Sequence, residues 1–210
     1  MPNQNHDIAG NYYNKYATNN PVARALVRGF QENLLQLIQQ TDATDIHEVG
    51  CGEGYLTALI ANANDKLKIR ASDQSSDIID TARRLHGADR IQFQTRSVYE
   101  LATTDGAELM LCCEVMEHLD DPDRARNTLH ELSTRYTIFS VPREPIWRIC
   151  NIARGRYLRA LGNTPGHIQH WSKREFLAFL VPRFEIVAVR SPFPWTMVLC
   201  RPHSRIGKRI

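Results

Sequence analysis

Four stretches of this 210-residue chain bring together residue types able to do chemistry. In Glu48-Val49-Gly50-Cys51-Gly52-Glu53-Gly54, three glycines fall within five residues, directly after an apolar run containing Ile46 and Val49. Glycine admits backbone angles that other residues resist, and it leaves bare main chain for a ligand to lie against. Asp73 ends a short strand-like run, Lys68 to Asp73, about 20 residues past the glycines, the interval at which a carboxylate accepts both hydroxyls of a ribose. Glu114-Val115-Met116-Glu117-His118-Leu119 offers two further carboxylates and an imidazole, which takes up protons near neutral pH. In 142–171, Arg143, Arg148, Arg154, Arg156 and Arg159 are opposed by Glu144 alone, and His167 and His170 stand three residues apart just before Trp171.

The glycine stretch departs from two common phosphate binders. Tyr55 stands where the dinucleotide pattern G-x-G-x-x-G needs its third glycine, and no Lys-Ser or Lys-Thr pair follows. Glu48 puts a carboxylate at the mouth of the turn, where it suits a cationic ligand better than a pyrophosphate. S-adenosylmethionine, with its ammonium and sulfonium, meets that condition.

At these residues the chain resembles motif I, E-x-G-x-G-x-G, of the class I S-adenosylmethionine-dependent methyltransferases. The resemblance implies a cofactor site made by Tyr16, Glu48, Gly50, Gly52, Asp73, Gln74, Ser97, Val98 and Glu114. At the position of Ser97 the family often carries an acid for the adenine amine, so this chain departs from it there. The E-V-M-E-H-L segment resembles the family's motif after the fourth strand. Comparable E-x-x-E-H arrangements occur in its small-RNA 3′-end 2′-O-methyltransferases and its ubiquinone-pathway O-methyltransferases. Trp171-Ser172-Lys173-Arg174-Glu175-Phe176 also matches the W-[ST]-x-x-E-F element of the RNA-tail enzymes. Three readings of the histidines stay open: proton acceptors at His118, His167 or His170; a divalent metal held by Glu114, Glu117, His118 and a later histidine; or plain closure of the turn by Glu117 and His118. The site set taken forward assigns catalysis to the three histidines and assigns no metal ligand.

The elements that must position these residues follow from periodicity. Asn20-Pro21 starts a helix in which Val22, Leu26, Phe30, Leu34, Leu37 and Ile38 recur at three- and four-residue spacing through Gln40. Strands are expected at 68–73, 91–95, 108–113 and 136–141, and helices after the glycines, at 77–85, at 123–133 and at 173–180. Ser172 with Glu175 makes a capping box for the last of these. Alternating strand and helix predict a parallel sheet covered on both faces, with ligands beyond the carboxyl ends of its strands. Runs at 184–190 and 195–201 add a closing hairpin. The expected fold is α/β, a single-domain, Rossmann-like, doubly wound sheet of seven strands, mostly parallel with an antiparallel C-terminal hairpin. Residues 1–40 would form a lid and helix over the cofactor, 142–171 an inserted basic amphipathic helix roofing the acceptor, and 203–210 a loose tail.

A net charge of +3 neither indicates nor excludes nucleic acid, but the lack of an added basic domain argues against it as a partner. Five cysteines without C-x-x-C spacing read as reduced thiols. No apolar run nears the ~18 residues of a membrane span, and no leader pattern opens the chain, so a soluble, cytoplasmic protein is expected. The expected activity is methyl transfer from S-adenosylmethionine to an oxygen, less readily a nitrogen, of a small anionic or lipid-like acceptor beneath 142–171. The insert's apolar face also suits a peripheral membrane contact. Two alternatives are a divalent-metal-dependent O-methyltransferase of RNA-end or quinone-pathway type and a non-catalytic module that binds S-adenosylmethionine. A nicotinamide oxidoreductase would need a dinucleotide turn and a second half to the sheet.

Overall fold

A computed structural model of the chain describes residues 20–87 and 90–204. Helix α1 (Pro21–Gln39) starts where Asn20 caps it, its side-chain oxygen accepting from the amides of Val22 and Ala23 at 2.9 and 3.2 Å. Strand and helix then alternate: β1 (Asp45–Val49), α2 (Tyr55–Ala63), β2 (Lys68–Asp73), α3 (Ser76–His86), β3 (Ile91–Thr95), β4 (Ala107–Cys113), α4 (Pro122–Leu132) and β5 (Ser133–Pro142). After β5 come α5 (Ile146–Ala153), a 3₁₀ turn at Leu158–Ala160, α6 (Lys173–Leu180) and the hairpin β6 (Phe184–Arg190) with β7 (Trp195–Pro202).

The seven strands form one sheet in the order β3-β2-β1-β4-β5-β7-β6, parallel from β3 to β5 and antiparallel where β7 joins β5 and β6. Helices cover both faces, and central strand β4 is accordingly apolar apart from Glu108. Leu34, Leu37, Ile60 and Ile79 fill one side of the sheet, and Leu129, Phe139, Phe176 and Phe184 fill the other. The order reverses between β1 and β4, and at such a switch point the strands diverge and leave a crevice at their carboxyl ends. All five cysteines are free thiols; burial pushes the pKa of Cys51, Cys112, Cys113 and Cys200 upward, which keeps them unreactive. Among the described residues, no helix is long and apolar enough to cross a membrane.

The insert differs from the continuous helix expected of it. Its arginines and large apolar residues run on past residue 153, but α5 has only eight residues. It closes in a Schellman cap: Gly155 takes φ +68, its amide bonds the Ile152 carbonyl, and the Arg156 amide bonds the Asn151 carbonyl at 2.8 Å. Arg156 and Arg159 therefore stand outside α5. A smaller difference lies at β5, which starts at Ser133 because that residue leaves α4 directly into the sheet.

One polar side chain in the core gives a pH signature. His47 is fully buried in β1, with its Nδ1–H donated to the Asp105 carbonyl at 2.8 Å and its Nε2 accepting from the Ser72 hydroxyl at 3.0 Å. Burial holds its pKa below the ordinary value. The unfolded chain therefore binds more protons, so His47's contribution is complete above about pH 6.5 and declines below it, by at most about 1.4 kcal/mol per pH unit. In urea unfolding, the stability advantage of wild type over His47→Gln should narrow as pH falls from about 7 to about 5. An advantage constant across that range would contradict the assignment.

Candidate active site

A cavity of about 1400 Å³ lies beyond the carboxyl ends of β1, β2 and β4, walled on one side by the glycine turn and on the other by α1, α5 and the loop around His167. Small-molecule pockets usually enclose roughly 300–1,000 Å³, so this one has room for two ligands side by side.

The glycine turn forms its floor. Gly50, Gly52 and Gly54 all take positive φ, at 74°, 53° and 78°. The amides of Gly50 and Cys51 both donate to the Ser72 carbonyl on β2, at 2.7 and 2.9 Å. Gly52 donates instead to the side chain of Asp73 at 3.0 Å, and the Ser75 amide bonds the other carboxylate oxygen at 3.0 Å. Asp73 is thus fixed against the turn with its carboxylate on the cavity wall. Burial raises its pKa against the opposing pull of these amide bonds. Gln74, Ser97 and Val98 line the same wall. Ser97 is held locally, its hydroxyl accepting from the Tyr99 amide at 3.4 Å.

Glu48 sits deeper, and Glu114 is half-buried. Glu48 is 3% exposed and accepts a hydrogen bond from the Thr57 hydroxyl on α2, yet still lines the cavity. Glu114 takes a left-handed conformation, φ 60°, which turns its side chain toward β5 and β7. There it accepts from the Ser140 hydroxyl at 3.0 Å and from the Trp195 indole N–H at 2.5 Å. Tyr16 lies outside the described residues.

The far wall holds the histidines. His118 ends a short 3₁₀ turn, Met116–His118, and its Nδ1–H is donated to the Gly166 carbonyl at 2.9 Å. In the neutral ring that bond puts the acceptor lone pair on Nε2. His167 is buried, meeting His118 edge to face at 4.9 Å between centroids and stacking on Trp147 at 5.9 Å. The loop is tied down by the Glu117 carbonyl, which accepts the amides of Ile168 and Gln169 at 2.9 and 3.0 Å. Glu117, His118 and His167 each present a ligand atom, all within 4.8 Å of one another. The structure thus joins two of the three expected histidines. His170 is exposed and outside the cavity lining. Glu114, expected in any metal set, is occupied with Ser140 and Trp195 instead.

Thr57, Ser140, Trp147 and Trp195 were not singled out from the sequence as site residues. Ser140 faces Cys113 in the β4–β5 register, one residue before Glu114. Only that register brings the pair together.

A family model for the methyltransferase domain matches residues 47–135, which span the glycine turn, Asp73, Glu114 and His118. Residues 47–135 are a methyltransferase domain. Over 84 residues, 38% of this chain and 20% of the relative, the protein is 38% identical to an uncharacterized protein of Synechococcus sp.. It is also 23% identical over 128 residues to a malonyl-[acyl-carrier protein] O-methyltransferase of Bacillus anthracis, covering 60% of this chain and 46% of that one. The chain spans from a fifth to just under half the length of the curated relatives it matches. Two solved structures share the fold. Magnesium protoporphyrin IX methyltransferase from Synechocystis PCC 6803, with bound S-adenosylhomocysteine, superposes with TM-score 0.66 at 17% identity, covering 88% of this chain and 89% of that one. The N-methyltransferase NodS from Bradyrhizobium japonicum superposes with TM-score 0.65 at 16% identity, covering 85% and 97%.

The residues of the methyltransferase domain suit its cofactor. The bared backbone at Gly52, the carboxylate of Asp73 and the carboxylates of Glu48 and Glu114 line one continuous surface, complementary to sugar hydroxyls and positive charge. Gly50 also meets a packing limit, since a Cβ there would stand 2.3 Å from Val115 Cγ2 at a φ that side chains resist. Gly50→Ala should therefore cost about 1–3 kcal/mol of stability and weaken S-adenosylhomocysteine binding. Thermal denaturation and calorimetry read the two effects, and wild-type values in both would contradict the turn's role.

Proposed function

We propose that the protein transfers a methyl group from S-adenosylmethionine to an oxygen of a small amphiphilic acceptor bound between the glycine turn and α5, a nitrogen acceptor being the lesser expectation. The observation that carries this reading is the division of one cavity into a carboxylate-rich wall and a histidine wall. When bound, S-adenosylmethionine supplies a methyl group on a sulfonium cation. Asp73 accepts the ribose hydroxyls, Gln74, Ser97 and Val98 flank the adenine, and Glu48 and Glu114 supply negative potential toward the cationic end.

On the opposite wall, Nε2 of His118 takes the proton of the acceptor hydroxyl. The Gly166 carbonyl holds the Nδ1–H, keeping Nε2 as the base and favouring the imidazolium that forms. Buried His167, clamped between His118 and Trp147, positions that ring. The wall of α5, including Trp147 and Cys150, holds the acceptor's apolar part and excludes water from the nucleophile.

A second reading has a specific observation behind it. Glu117, His118 and His167 form a ligand set of the right atoms and spacing for a divalent metal, which would draw a proton from an acceptor hydroxyl as a Lewis acid.

Asp73→Ala should weaken S-adenosylhomocysteine binding about 10–100-fold in calorimetry and also lower the melting temperature, since it removes the ribose acceptor together with the bonds to the Gly52 and Ser75 amides. Equal affinity would remove Asp73 from the site. His118→Ala should slow single-turnover methyl transfer about 10²–10⁴-fold. Chelation separates the two readings: it leaves the rate unchanged if His118 is the bare base, and abolishes it, with loss of calorimetric Mn²⁺ binding in His167→Ala, if a metal is used.

A further inference from the structure

The apolar surface of this protein is unevenly placed. Of the ten large hydrophobic side chains that are exposed among the described residues, seven surround the cavity mouth or stand on the segment that walls it. Val22, Ile168 and Phe193 belong to the cavity lining itself, while Ile149, Ile152, Leu158 and Leu161 lie on the adjoining insert outside that lining. All seven are between 44 and 68% exposed.

The insert's four are held as one patch. Ile149 and Ile152 share a face of α5 at i, i+3, and Leu158 and Leu161 repeat that spacing on the 3₁₀ turn. Arg148 Nε donates to the Leu161 carbonyl at 3.0 Å, and the Cβ position of Gly162 lies 3.0 Å from the Ile152 side chain. Turn and helix are therefore locked side by side. None of the four belongs to either core cluster.

Charge on the same segment is one-sided. Arg148, Arg154, Arg156 and Arg159 accompany the patch, and Glu144 is the only acid between residues 143 and 168. Arg154, Arg156 and Arg159 are exposed. Aliphatic side chains interleaved with arginines are the composition of a segment that lies in a lipid interface, with the aliphatics at the acyl boundary and the guanidiniums at the phosphates. Single-stranded nucleic acid would call for exposed aromatic rings as stacking platforms, and a protein partner for aromatic anchors. The exposed large hydrophobic side chains on the insert are isoleucine and leucine, none of them aromatic.

We infer that residues 146–161 dock the protein on an anionic phospholipid surface, with the cavity mouth and its apolar rim turned toward the bilayer. Docking stands whether or not methyl transfer occurs. If it does, the acceptor enters from the lipid phase instead of from water.

Sedimentation of the full chain with vesicles tests this, comparing phosphatidylcholine alone with phosphatidylcholine holding about one-third phosphatidylglycerol. Binding to the anionic vesicles should be at least about tenfold tighter and should weaken as salt rises. Leu158→Ser combined with Leu161→Asn should reduce it about tenfold, asparagine being chosen for the left-handed φ of 48° at Leu161. Arg159→Gln, at an exposed site outside the cavity, should reduce it about fivefold. S-adenosylhomocysteine binding at wild-type strength in both variants shows that they are folded. Equal binding of wild type to the two vesicle types, or none, overturns the inference. So does a dimer in light scattering that the leucine variant splits, which would assign the patch to a second copy of the chain, or tighter binding to a single-stranded RNA oligomer than to anionic vesicles.

Discussion

A single carbonyl, that of Ser72, organises the working end of the sheet. It accepts the amides of both Gly50 and Cys51, so the chain leaving β1 must bend sharply across the end of β2 before α2 can begin. Two consecutive amides directed at one oxygen require the left-handed backbone found at Gly50, and Val115 occupies the space a Cβ would take. The next residue of β2, Asp73, completes the lock by accepting the Gly52 amide. The acid on the ligand wall and the turn that forms the floor are thereby one hydrogen-bonded unit, which places a carboxylate beside bare main chain without further support.

On the same cavity, contacts run from Glu114 to the histidines. Glu114 bonds the Trp195 indole; Trp195 packs against Phe30 of α1 at 5.2 Å and Trp147 of α5 at 5.7 Å; Trp147 stacks on His167, and His167 meets His118. Helix α1, the closing strand β7 and the insert after β5 are remote in sequence, yet each contributes one ring to the row. The Glu114 carboxylate and the His118 imidazole are consequently linked by the same row of rings, which suits the proposed reaction, one that needs two ligands in a fixed relative position.

Much of this was legible in the sequence wherever local rules decide structure. Asn20-Pro21 and the Ser172/Glu175 box start α1 and α6 at the expected residues. The glycines and the acids at strand ends mark the crevice because a parallel sheet brings its carboxyl ends together whatever the details of packing. What stayed hidden depends on register or on a single backbone reversal. Glu114 lines the cavity as its place at a strand end suggests, but its bond to Ser140 follows only from the β4–β5 pairing, and Trp195 reaches it only because β7 runs antiparallel to β5. Likewise the apolar spacing of the insert continues through Gly155, and only the cap geometry there divides it into a short helix and a turn. His170 stands three residues from His167 but outside the cavity, since no regular helix there aligns the two side chains.

The central claim is that the turn at Gly50–Gly52 and the carboxylate of Asp73 together receive S-adenosylmethionine. Crystals of the full chain grown with S-adenosylhomocysteine test it most directly. Ligand density over the Gly52 backbone, with both ribose hydroxyls within hydrogen-bond reach of Asp73, is the expected result. A cavity that stays empty at saturating ligand, or density that avoids Asp73, would contradict it.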